Sequence, residues 1–551
     1  MATMTVRQAL EQAMKDQQAG RFKQAEAIYR QILTANPNEA NAIHLLGLLE
    51  YQQGRAQAAL PLIEKAVLLM PQAPTFRTNL SQILSALGRN EQAVEEAQKA
   101  VGFQPNNPEF LNNLGKALQS HGRLTEAIGI FRRAIDIKPD FIATYANLGS
   151  ALRASGDYPQ AIAVLRQAAG LQPNSVETMN NLGNALQEFG QVEEAETIFQ
   201  KILSAKPDFA EAHNNLGTTY RAAGQFGRAI EHYRKAVQLQ PDMPMPHFNL
   251  GLTLLLLGQF EEGWRENEWR WKVKEHGGRF DQYPSPEWDG SDLKGRTIFL
   301  FGEQGFGDAI QFARYVPLIA QRGARIILAC QKPLLCLMKS LAGVSQLVTH
   351  GDPMPAFDVR CALMSVPRIF GTADANIPAD IPYLSANADE SSRWRKRLDE
   401  FAGKLKVGIA WAGRPEHKLD RLRSIAPKVF APLNTISSIQ LVNLQKGDKS
   451  SQGRDVLNLI DWTAELTDFA DTAALVENLD LVITADTAVA HLAGALGKKV
   501  WVLLPFVSDW RWLLNRSDSP WYPTMRLFRQ PAIGDWNTPI QQVVQALQEL
   551  P

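Results

Sequence analysis

The chain changes its pattern of apolar and polar residues once, close to residue 296. Before that point a pattern of 34 residues recurs, whereas from Arg296 onwards short apolar runs alternate with helical stretches. The runs are TIFLFG (297–302), RIILAC (325–330), QLVTH (346–350), KVGIAWAG (406–413), IQLVNLQ (439–445), DLVITAD (480–486) and KVWVLLP (499–505). Strands that alternate with helices predict parallel sheets, and the restart of the series after about residue 403 predicts two α/β lobes.

The 34-residue pattern has fixed positions with a steric meaning. A leucine and a glycine follow each boundary proline at nine and ten residues, with Ser81 as the one exception to the glycine, and an alanine follows at twenty-two, with Gly263 as its exception. Small residues suit places where two helices cross closely. A second glycine, seventeen residues after each proline, suits the left-handed end of a helix, and the proline itself is expected to start the next unit. The prolines are Pro37, Pro71, Pro105, Pro139, Pro173, Pro207 and Pro241.

These in-phase copies resemble the tetratricopeptide repeat. Residues 3–36 supply a degenerate eighth copy, which we expect to cap the amino-terminal end. The resemblance implies an α-solenoid over residues 1–274, in which helix pairs stack into a superhelix with a long concave groove. Residues 275–296 are rich in glycine, proline and aspartate and are predicted to be a linker. The α/β lobes would then be residues 297–403 and 404–551.

Ligands of open parallel sheets bind where the strands end, so three loops are candidate sites. The first runs from Gly302 to Asp308. A dinucleotide-binding fingerprint would need glycine where Ile310 stands, which argues against a nicotinamide oxidoreductase. Asp308 lies where a helix begins, so it is either the cap of that helix or a carboxylate available as a general base.

The second loop follows the strand that ends near Trp411. Its cations and serine could clamp a diphosphate through charge-assisted hydrogen bonds; alternatively, it is a solvated charged loop. The residues that we expect to bind the donor here are Arg414, His417, Arg423 and Ser424.

The third loop joins a strand to an alanine-rich helix. Backbone N–H groups at Asp486, Thr487 and Ala488 could face an anionic phosphate at the helix start, with His491 near the same end. The alternative is a capped core helix with a buried, hydrogen-bonded histidine. Further on, the aromatic and basic segment that contains Trp510, Arg511 and Trp512 either stacks on a sugar or base or packs against the first lobe.

Together the three segments resemble the heptosyltransferase-like glycosyltransferases (family 9), over residues 297–551. The resemblance implies a GT-B arrangement of two Rossmann-like lobes, with an acceptor side and a nucleotide-sugar side. It implies that Asp308, after Gly307, is the catalytic base and that Asp486, Thr487 and His491 contact the nucleotide sugar. Ala488 replaces the family's glycine, so the close approach of phosphate to the backbone there is in doubt.

The implied activity is an inverting, metal-independent transfer of a sugar from a nucleotide-diphosphate sugar to an acceptor. Asp308 would deprotonate the acceptor hydroxyl, with Glu303 in reserve, while Arg423, Ser424 and residues 486–488 would stabilise the departing diphosphate. No DxD pair stands in these loops, so no divalent ion and no cofactor beyond the co-substrate is expected. The alternatives are a non-catalytic repeat scaffold, or a transferase that acts on a saccharide or lipid acceptor of the lipopolysaccharide type.

Composition narrows the remaining classes of protein. Basic and acidic residues number 57 each, so no large surface for nucleic acid is expected. Three cysteines without a CxxC pattern argue against a disulfide scaffold or a structural zinc site. The sequence has no apolar leader and no run long enough to span a membrane, so a cytoplasmic protein is the expectation.

A row of asparagines points to the acceptor. One asparagine stands eight residues after the boundary proline in six successive repeats, at Asn79, Asn113, Asn147, Asn181, Asn215 and Asn249. An amide can both donate to and accept from a peptide unit, so such a row could hold an extended chain in the groove. A similar ladder lines the repeats of the O-GlcNAc transferases and contacts acceptor polypeptide, which implies a protein acceptor. Alternatively, the asparagines bond neighbouring repeats to one another.

Overall fold

The computed structural model describes residues 4–273, 285–349, 351–414 and 420–550. Its contacts divide the chain after Thr219 into two compact units. The division falls inside the repeats and not at residue 274, where the sequence analysis ended the first domain. Among the described residues, no helix combines the length and the apolar character needed to cross a membrane.

Residues 4–273 form successive pairs of helices. The helices are α1 (Val6–Gln18), α2 (Phe22–Ala35), α3 (Ala40–Gln52), α4 (Ala56–Leu69), α5 (Pro74–Ala86), α6 (Asn90–Phe103), α7 (Pro108–Ser120), α8 (Leu124–Ile137), α9 (Ile142–Ala154), α10 (Tyr158–Leu171), α11 (Val176–Phe189), α12 (Val192–Ala205), α13 (Ala210–Ala222), α14 (Phe226–Leu239), α15 (Pro244–Leu256) and α16 (Phe260–Asn267), followed by a 3-10 turn at Glu268–Lys272. Residues 3–36 therefore contribute a helix pair of their own, as the sequence predicts.

The repeat positions have the predicted steric roles, with one correction. A Cβ atom on Gly115 would lie 2.4 Å from the ring of Phe131, so the two helices of that repeat cross where only glycine fits. The second glycine of each repeat is left-handed; Gly54, for example, has a φ of 78°. The boundary prolines do not start the next helix, however. Pro71 lies two residues beyond the end of α4, where proline prevents the helix from continuing, and α5 starts at Pro74.

The second unit contains two parallel sheets. The strands are β1 (Thr297–Phe301), β2 (Arg325–Cys330), β3 (Val344–Thr349), β4 (Val359–Ala362), β5 (Leu405–Ala410), β6 (Ile439–Asn443), β7 (Leu459–Ile460), β8 (Leu481–Ala485), β9 (Val500–Leu504) and β10 (Met525–Arg529). The first sheet has the order β3-β2-β1-β4 and the second β10-β9-β8-β5-β6-β7. This confirms the prediction of parallel sheets in an α/β region.

Short helices connect these strands. They are α17 (Phe306–Phe312), α18 (Val316–Ala320), α19 (Leu335–Met338), α20 (Val366–Ile369), α21 (Ala388–Leu398), α22 (Asp420–Arg423), α23 (Phe469–Val476), α24 (Ala488–Ala495) and α25 (Asn537–Gln548). Several connections are 3-10 turns, including Leu363–Ser365 after β4 and Trp510–Trp512 after β9. All five residues of β8 and of β9 are buried, as expected for inner strands of a parallel sheet.

The second unit includes the last repeat helices because they share its core. The indole Nε1 of Trp264, in α16, donates to the carbonyl of Thr372 at 2.9 Å, and its ring meets Trp510 edge-on at 5.1 Å. Residues 285–296, predicted as linker, also belong to this unit. Trp288 and Leu293 are fully buried, and Trp288 N–H donates to the carbonyl of Arg360 at 2.8 Å. The rest of the predicted linker, residues 275–284, lies outside the described residues.

Candidate functional site

The second sheet has a point where its connections diverge. Its strand order, counted from β5 as the first strand, is 3-2-1-4-5-6, the order of doubly wound dinucleotide-binding folds. The first and fourth strands, β5 and β8, pair side by side. In such sheets ligands bind in the crevice beyond the carboxyl ends of these two strands. Residues 411–414 and 486–488 follow them directly.

The loop after β5 is held in shape by Gln445, which follows β6. Its Oε1 accepts hydrogen bonds from the backbone N–H groups of Trp411 at 3.0 Å and Ala412 at 2.8 Å. Its Nε2 donates back to the carbonyl of Ala412 at 3.1 Å. The backbone that leads into the basic segment is therefore fixed by a buried amide. In the sequence, Gln445 is marked only as the last residue of an apolar run.

Asp420 organises the basic segment. Its buried carboxylate accepts hydrogen bonds from Ser424 Oγ at 2.8 Å and from Lys449 Nζ at 2.5 Å, and Arg423 Nε lies 3.8 Å from it. A Cβ on Gly413 would come within 2.5 Å of the Arg423 guanidinium, so Gly413 leaves room for that side chain. Two predicted donor-binding residues, Arg423 and Ser424, are thus brought together, with Lys449 as a further cation.

The other two predicted donor-binding residues of this segment are Arg414 and His417. Arg414 is exposed, and its guanidinium lies 4.2 Å from the ring centroid of Phe306, the first residue of α17. It therefore joins the second lobe to the loop of the first lobe that leads to Asp308. His417 lies outside the described residues.

The loop after β8 caps α24. Thr487 is the N-cap, and its Oγ1 accepts from the N–H of Val489 at 3.3 Å. Ala488 is the first residue of the helix. Asp486 is 9% exposed; burial and the nearby charge of Asp509 raise its pKa to about 6, although Arg423 acts in the opposite direction. The carboxyl of Asp486 therefore titrates close to neutral pH.

His491 is placed in the core, which differs from what the resemblance implies. It is 4% exposed, its Nδ1 lies 3.1 Å from the hydroxyl of Tyr522, and its ring stacks on Trp512. Burial and the charge of Arg511 lower its pKa well below the ordinary value, so the ring is neutral. This arrangement corresponds to the buried histidine of the alternative interpretation.

Asp308 is neither the N-cap of α17 nor a free carboxylate. Gly305 is the N-cap, and Asp308 lies three residues further on, where its Oδ2 accepts from the N–H of Gly305 at 2.8 Å. Its Oδ1 accepts a hydrogen bond from the guanidinium of Arg511. Arg511 also donates to Asp509 at 2.8 Å. The side chain of Asp308 remains 19% exposed.

Gly307 allows the two lobes to meet at this point. A Cβ at Gly307 would lie 2.8 Å from Cδ2 of His491 and 3.6 Å from Cα of Ala488. Helices α17 and α24 therefore approach so closely that a methyl group would not fit between them. The glycine before Asp308 thus has a packing reason, and it brings Asp308 near the start of α24.

Glu303, the reserve candidate, is buried beside an arginine that follows the last repeat helix. Arg270 Nη2 donates to Glu303 Oε1 at 2.9 Å, and the Glu303 side chain is 6% exposed. Burial raises the pKa of Glu303 to about 6, against the opposing charge of Arg270. Nothing in the sequence pattern joins these two residues, which lie on either side of the predicted linker.

The aromatic segment after β9 packs and does not present its rings to solvent. Trp510, Trp512, Trp521 and Tyr522 are each at most 3% exposed. This decides between the two interpretations that the sequence left open. Arg511, between two buried tryptophans, reaches Asp308, and Trp512 stacks on His491.

In the repeats, the side chain 35 residues earlier is the partner of Asn79, Asn147 and Asn215. Asn147 Nδ2 donates to Asn112 Oδ1 at 2.9 Å, and Asn215 Nδ2 donates to Asn180 Oδ1 at 2.9 Å. Asn79 Nδ2 lies 2.9 Å from a ring nitrogen of His44. Each partner stands seven residues after its own boundary proline, 35 residues before the asparagine. These are the inter-repeat bonds of the alternative interpretation.

Asn113 and Asn181 differ because the position 35 residues earlier is Thr78 or Ala146 and not an asparagine or histidine. Asn113 accepts from Gln82 Nε2 at 2.9 Å and donates to the carbonyl of Glu109. Ala146 stands opposite Asn181 and offers no side-chain acceptor, and within the described residues Asn181 has no side-chain hydrogen bond. Asn249 is 6% exposed. Of these asparagines, Asn181 therefore keeps the most of its amide for another molecule.

Comparisons with known proteins agree with the repeat geometry. Sequence profiles described as tetratricopeptide repeat or TPR repeat match residues 10–75, 50–116, 110–138, 152–216 and 217–258. The amino-terminal part of the chain is a tetratricopeptide-repeat array. The carboxyl-terminal part is an α/β region with parallel sheets.

One curated protein is similar to about half of this chain. Protein FlbA of Caulobacter vibrioides is 27% identical over 315 residues, which cover 52% of this chain and 52% of FlbA. The chain thus spans about half the length of the curated relative that it matches.

Solved structures of tetratricopeptide repeat proteins are similar to part of this chain. A tetratricopeptide repeat protein from Parabacteroides merdae is 17% identical and covers 45% of this chain and 98% of its own, with a TM-score of 0.40. The Thermus thermophilus protein TTC0263 is 23% identical and covers 33% of this chain and 100% of its own, with a TM-score of 0.30.

Proposed function

We propose that this chain is a glycosyltransferase of the GT-B type, in which the tetratricopeptide repeats recruit the acceptor. One observation carries the proposal. The doubly wound second sheet gathers Arg423, Ser424 and the start of α24 at its switch point, where anionic ligands of such sheets bind. The first-lobe carboxylate of Asp308 lies in contact with the same group of charges through Arg511.

The donor is a nucleotide-diphosphate sugar. Its diphosphate interacts with the guanidinium of Arg423, the hydroxyl of Ser424 and the N–H groups near Ala488, which together offset the charge that develops on the leaving group. Arg414 and His417 lie in the same segment and contribute further donors. Asp486 supports this end of the site. His491 does so from the core, by packing between Tyr522 and Gly307.

The reaction inverts the anomeric carbon and needs no metal ion. An acceptor oxygen attacks from the face opposite the diphosphate, so a carboxylate must take the proton of the acceptor on that face. The loop after β1 supplies two carboxylates. The resemblance assigns Asp308 to this role, and Glu303 is the alternative.

The acceptor is a protein, held through its main chain in the repeat groove. Solenoids of stacked helix pairs present extended concave surfaces that suit an elongated ligand. Asn181 has the most amide capacity left for such a chain, since Asn113, Asn147 and Asn215 already make side-chain hydrogen bonds. With a lipid or saccharide acceptor, the groove would have no extended main chain to bind.

The test is a donor panel on the full chain. UDP-N-acetylglucosamine, UDP-glucose, GDP-mannose, dTDP-rhamnose and ADP-heptose are added singly, and the melting temperature and release of nucleoside diphosphate are recorded. We expect at least one donor to raise the melting temperature and to be hydrolysed slowly. The charge-removing variant Arg423→Gln should weaken that donor at least tenfold, whereas Lys428→Gln, at an exposed lysine five residues away, should not.

A panel in which no donor raises the melting temperature or is hydrolysed contradicts the proposal. The repeats and sheets would then be better explained as a non-catalytic assembly protein.

A further inference from the structure

A buried charged cluster lies at the carboxyl end of the first sheet. Arg270 is 1% exposed; its Nη2 donates to Glu303 Oε1 at 2.9 Å and to Ser365 Oγ at 2.7 Å, and its Nη1 donates to Glu268 Oε1 at 2.6 Å. Glu303 follows β1 and Ser365 follows β4, and these two strands are neighbours. One side chain from the end of the repeats thus ties together the loops at the switch point of the first sheet.

Within this cluster one acceptor atom is left over. Glu303 Oε2 is buried and has no hydrogen-bond partner, although Oε1 is held by Arg270. A buried carboxylate oxygen without a donor is costly, and native structures rarely keep one without a use. The loop itself reaches the surface, because Gly305, two residues further on, is exposed. A hydroxyl group of a bound molecule could therefore complete the site.

The neighbouring carboxylate is engaged differently. Both oxygens of Asp308 already accept hydrogen bonds, one from the Gly305 N–H and one from Arg511. Asp308 thereby holds the N-terminus of α17 and orients Arg511, and neither of its oxygens lacks a donor, unlike Oε2 of Glu303.

We infer that Glu303 is the catalytic residue that accepts the proton, and that Arg270 is its positioning residue. The inference rests on the proposed function. In the step, the O–H bond of the acceptor breaks and its proton moves to Glu303 Oε2, while the acceptor oxygen bonds to the anomeric carbon. The bond from that carbon to the diphosphate oxygen breaks, and its electron pair leaves with the nucleoside diphosphate.

The charges around Glu303 agree with this role. Arg270 and Glu268 face it from the 3-10 turn after α16, Asp308 from α17, and the buried Cys361 thiol from β4. Burial and the charge of Asp308 raise the pKa of Glu303 to about 6, while Arg270 opposes them. A general base works best when its pKa lies near the working pH.

Anion rescue distinguishes the two carboxylates. The full chain is assayed for hydrolysis of the best donor of the panel, with water as acceptor, in the variants Glu303→Gln, Glu303→Ala and Asp308→Ala. We expect Glu303→Gln to lower turnover at least 100-fold while donor binding, read from the thermal shift, stays within threefold. Azide or formate, which can enter the space of the missing carboxylate, should raise the rate of Glu303→Ala at least tenfold and leave Asp308→Ala unchanged.

The role of Arg270 has its own readout. Loss of its charge in Arg270→Met should raise the pKa of Glu303 and move the acid limb of the pH–rate profile upwards, whereas Arg270→Lys should leave the limb in place. The pKa of Asp486 is raised as well, but the charges that shift it most are those of Asp509, Arg423 and Arg511. An acid limb that does not move in Arg270→Met overturns the positioning role.

Three outcomes overturn the assignment of Glu303. These are turnover of Glu303→Gln within threefold of the wild type, rescue confined to Asp308→Ala, and absence of rescue in Glu303→Ala. If the wild-type chain turns over no donor, the proposed function fails and the inference fails with it. Turnover that survives in Glu303→Gln removes the inference alone.

Discussion

The guanidinium of Arg511 donates a hydrogen bond to the carboxylate of Asp308, although the two residues are 203 positions apart in the chain. The contact links the loop after β9 to the first helix of the other lobe. The side chain of Arg511 is 9% exposed, and it also neutralises Asp509. Loss of this one cation therefore leaves two carboxylates without their partner.

We expect Arg511→Gln to destabilise the second unit by about 3 kcal/mol, at the lower end for a broken buried ion pair because Asp308 is partly exposed. All 12 tryptophans lie at or after Trp264, so urea unfolding followed by tryptophan fluorescence reports on this unit. Arg516→Gln is the control, because Arg516 pairs with the exposed Asp518 and should contribute less than about 1 kcal/mol. Equal losses of stability in the two variants would show that the buried pair of Arg511 and Asp308 contributes no more than an exposed ion pair.

The close approach at Gly307 gives a second prediction. Gly307→Ala places a methyl group 2.8 Å from His491, so α17 and α24 must separate. We expect a loss of about 1–3 kcal/mol and weaker donor binding. Gly227→Ala, in α14 with nothing within 4 Å of the new methyl, should be neutral or stabilising by up to about 1 kcal/mol. A Gly307→Ala chain as stable as Gly227→Ala would contradict the packing argument.

Much of this fold follows from the sequence, because its signals are local. The repeat spacing predicts helix pairs, and the alternation of strands and helices predicts parallel sheets. The segment at Trp288 was wrongly predicted as linker, since its glycines and prolines mark turns but do not reveal that the indole is buried. Composition cannot distinguish a mobile connection from a turn that covers a core.

The candidate site was predictable only where loops follow strands. Asp308, Arg423 and Asp486 lie in such loops. Some of the side chains that contact them come from other parts of the chain. Arg511 and Arg270 reach the site from distant parts of the chain, and only tertiary packing brings them there. Lys449 was likewise missed, because its role depends on meeting Asp420 across 29 residues.

The raised pKa of Asp486 gives a pH-dependent prediction. The pKa of Asp486 rises from 3.8 in the unfolded chain to about 6 in the folded one. Its protonated form therefore contributes fully to the free energy of unfolding below about pH 4, and that contribution is lost as the pH rises through 6. Asparagine does not titrate, so Asp486→Asn should gain about 2–3 kcal/mol relative to the wild type between pH 4 and pH 8. Tryptophan-detected urea unfolding at several pH values measures the difference.

Asp471→Asn is the control of opposite sign. Burial raises the pKa of Asp471, but hydrogen bonds from Thr467 outweigh it, and the pKa lies below 3.8. That variant should therefore lose stability relative to the wild type as the pH rises through the acid range. If the difference in the free energy of unfolding between Asp486→Asn and the wild type is independent of pH, the pKa of Asp486 is not raised.

The asparagines of the repeats can be separated into structural and binding members. Asn215 bonds Asn180, so Asn215→Ala should cost about 1 kcal/mol and speed hydrogen exchange in α11 and α13. Asn181 has Ala146 opposite, so Asn181→Ala should leave exchange unchanged. If the groove holds the acceptor main chain, Asn181→Ala should nevertheless lower transfer to a protein acceptor several-fold while donor hydrolysis persists.

The triple variant Asn147→Ala, Asn181→Ala, Asn215→Ala extends this test, since it removes both kinds of asparagine and should lower transfer further. Mass-spectrometric exchange of residues 176–222 keeps loss of folding apart from loss of binding. The decisive comparison is Asn181→Ala, because it changes an amide that stabilises no neighbouring repeat. Transfer to protein that is unchanged in both variants would mean that the ladder is structural, and that the acceptor is recognised elsewhere.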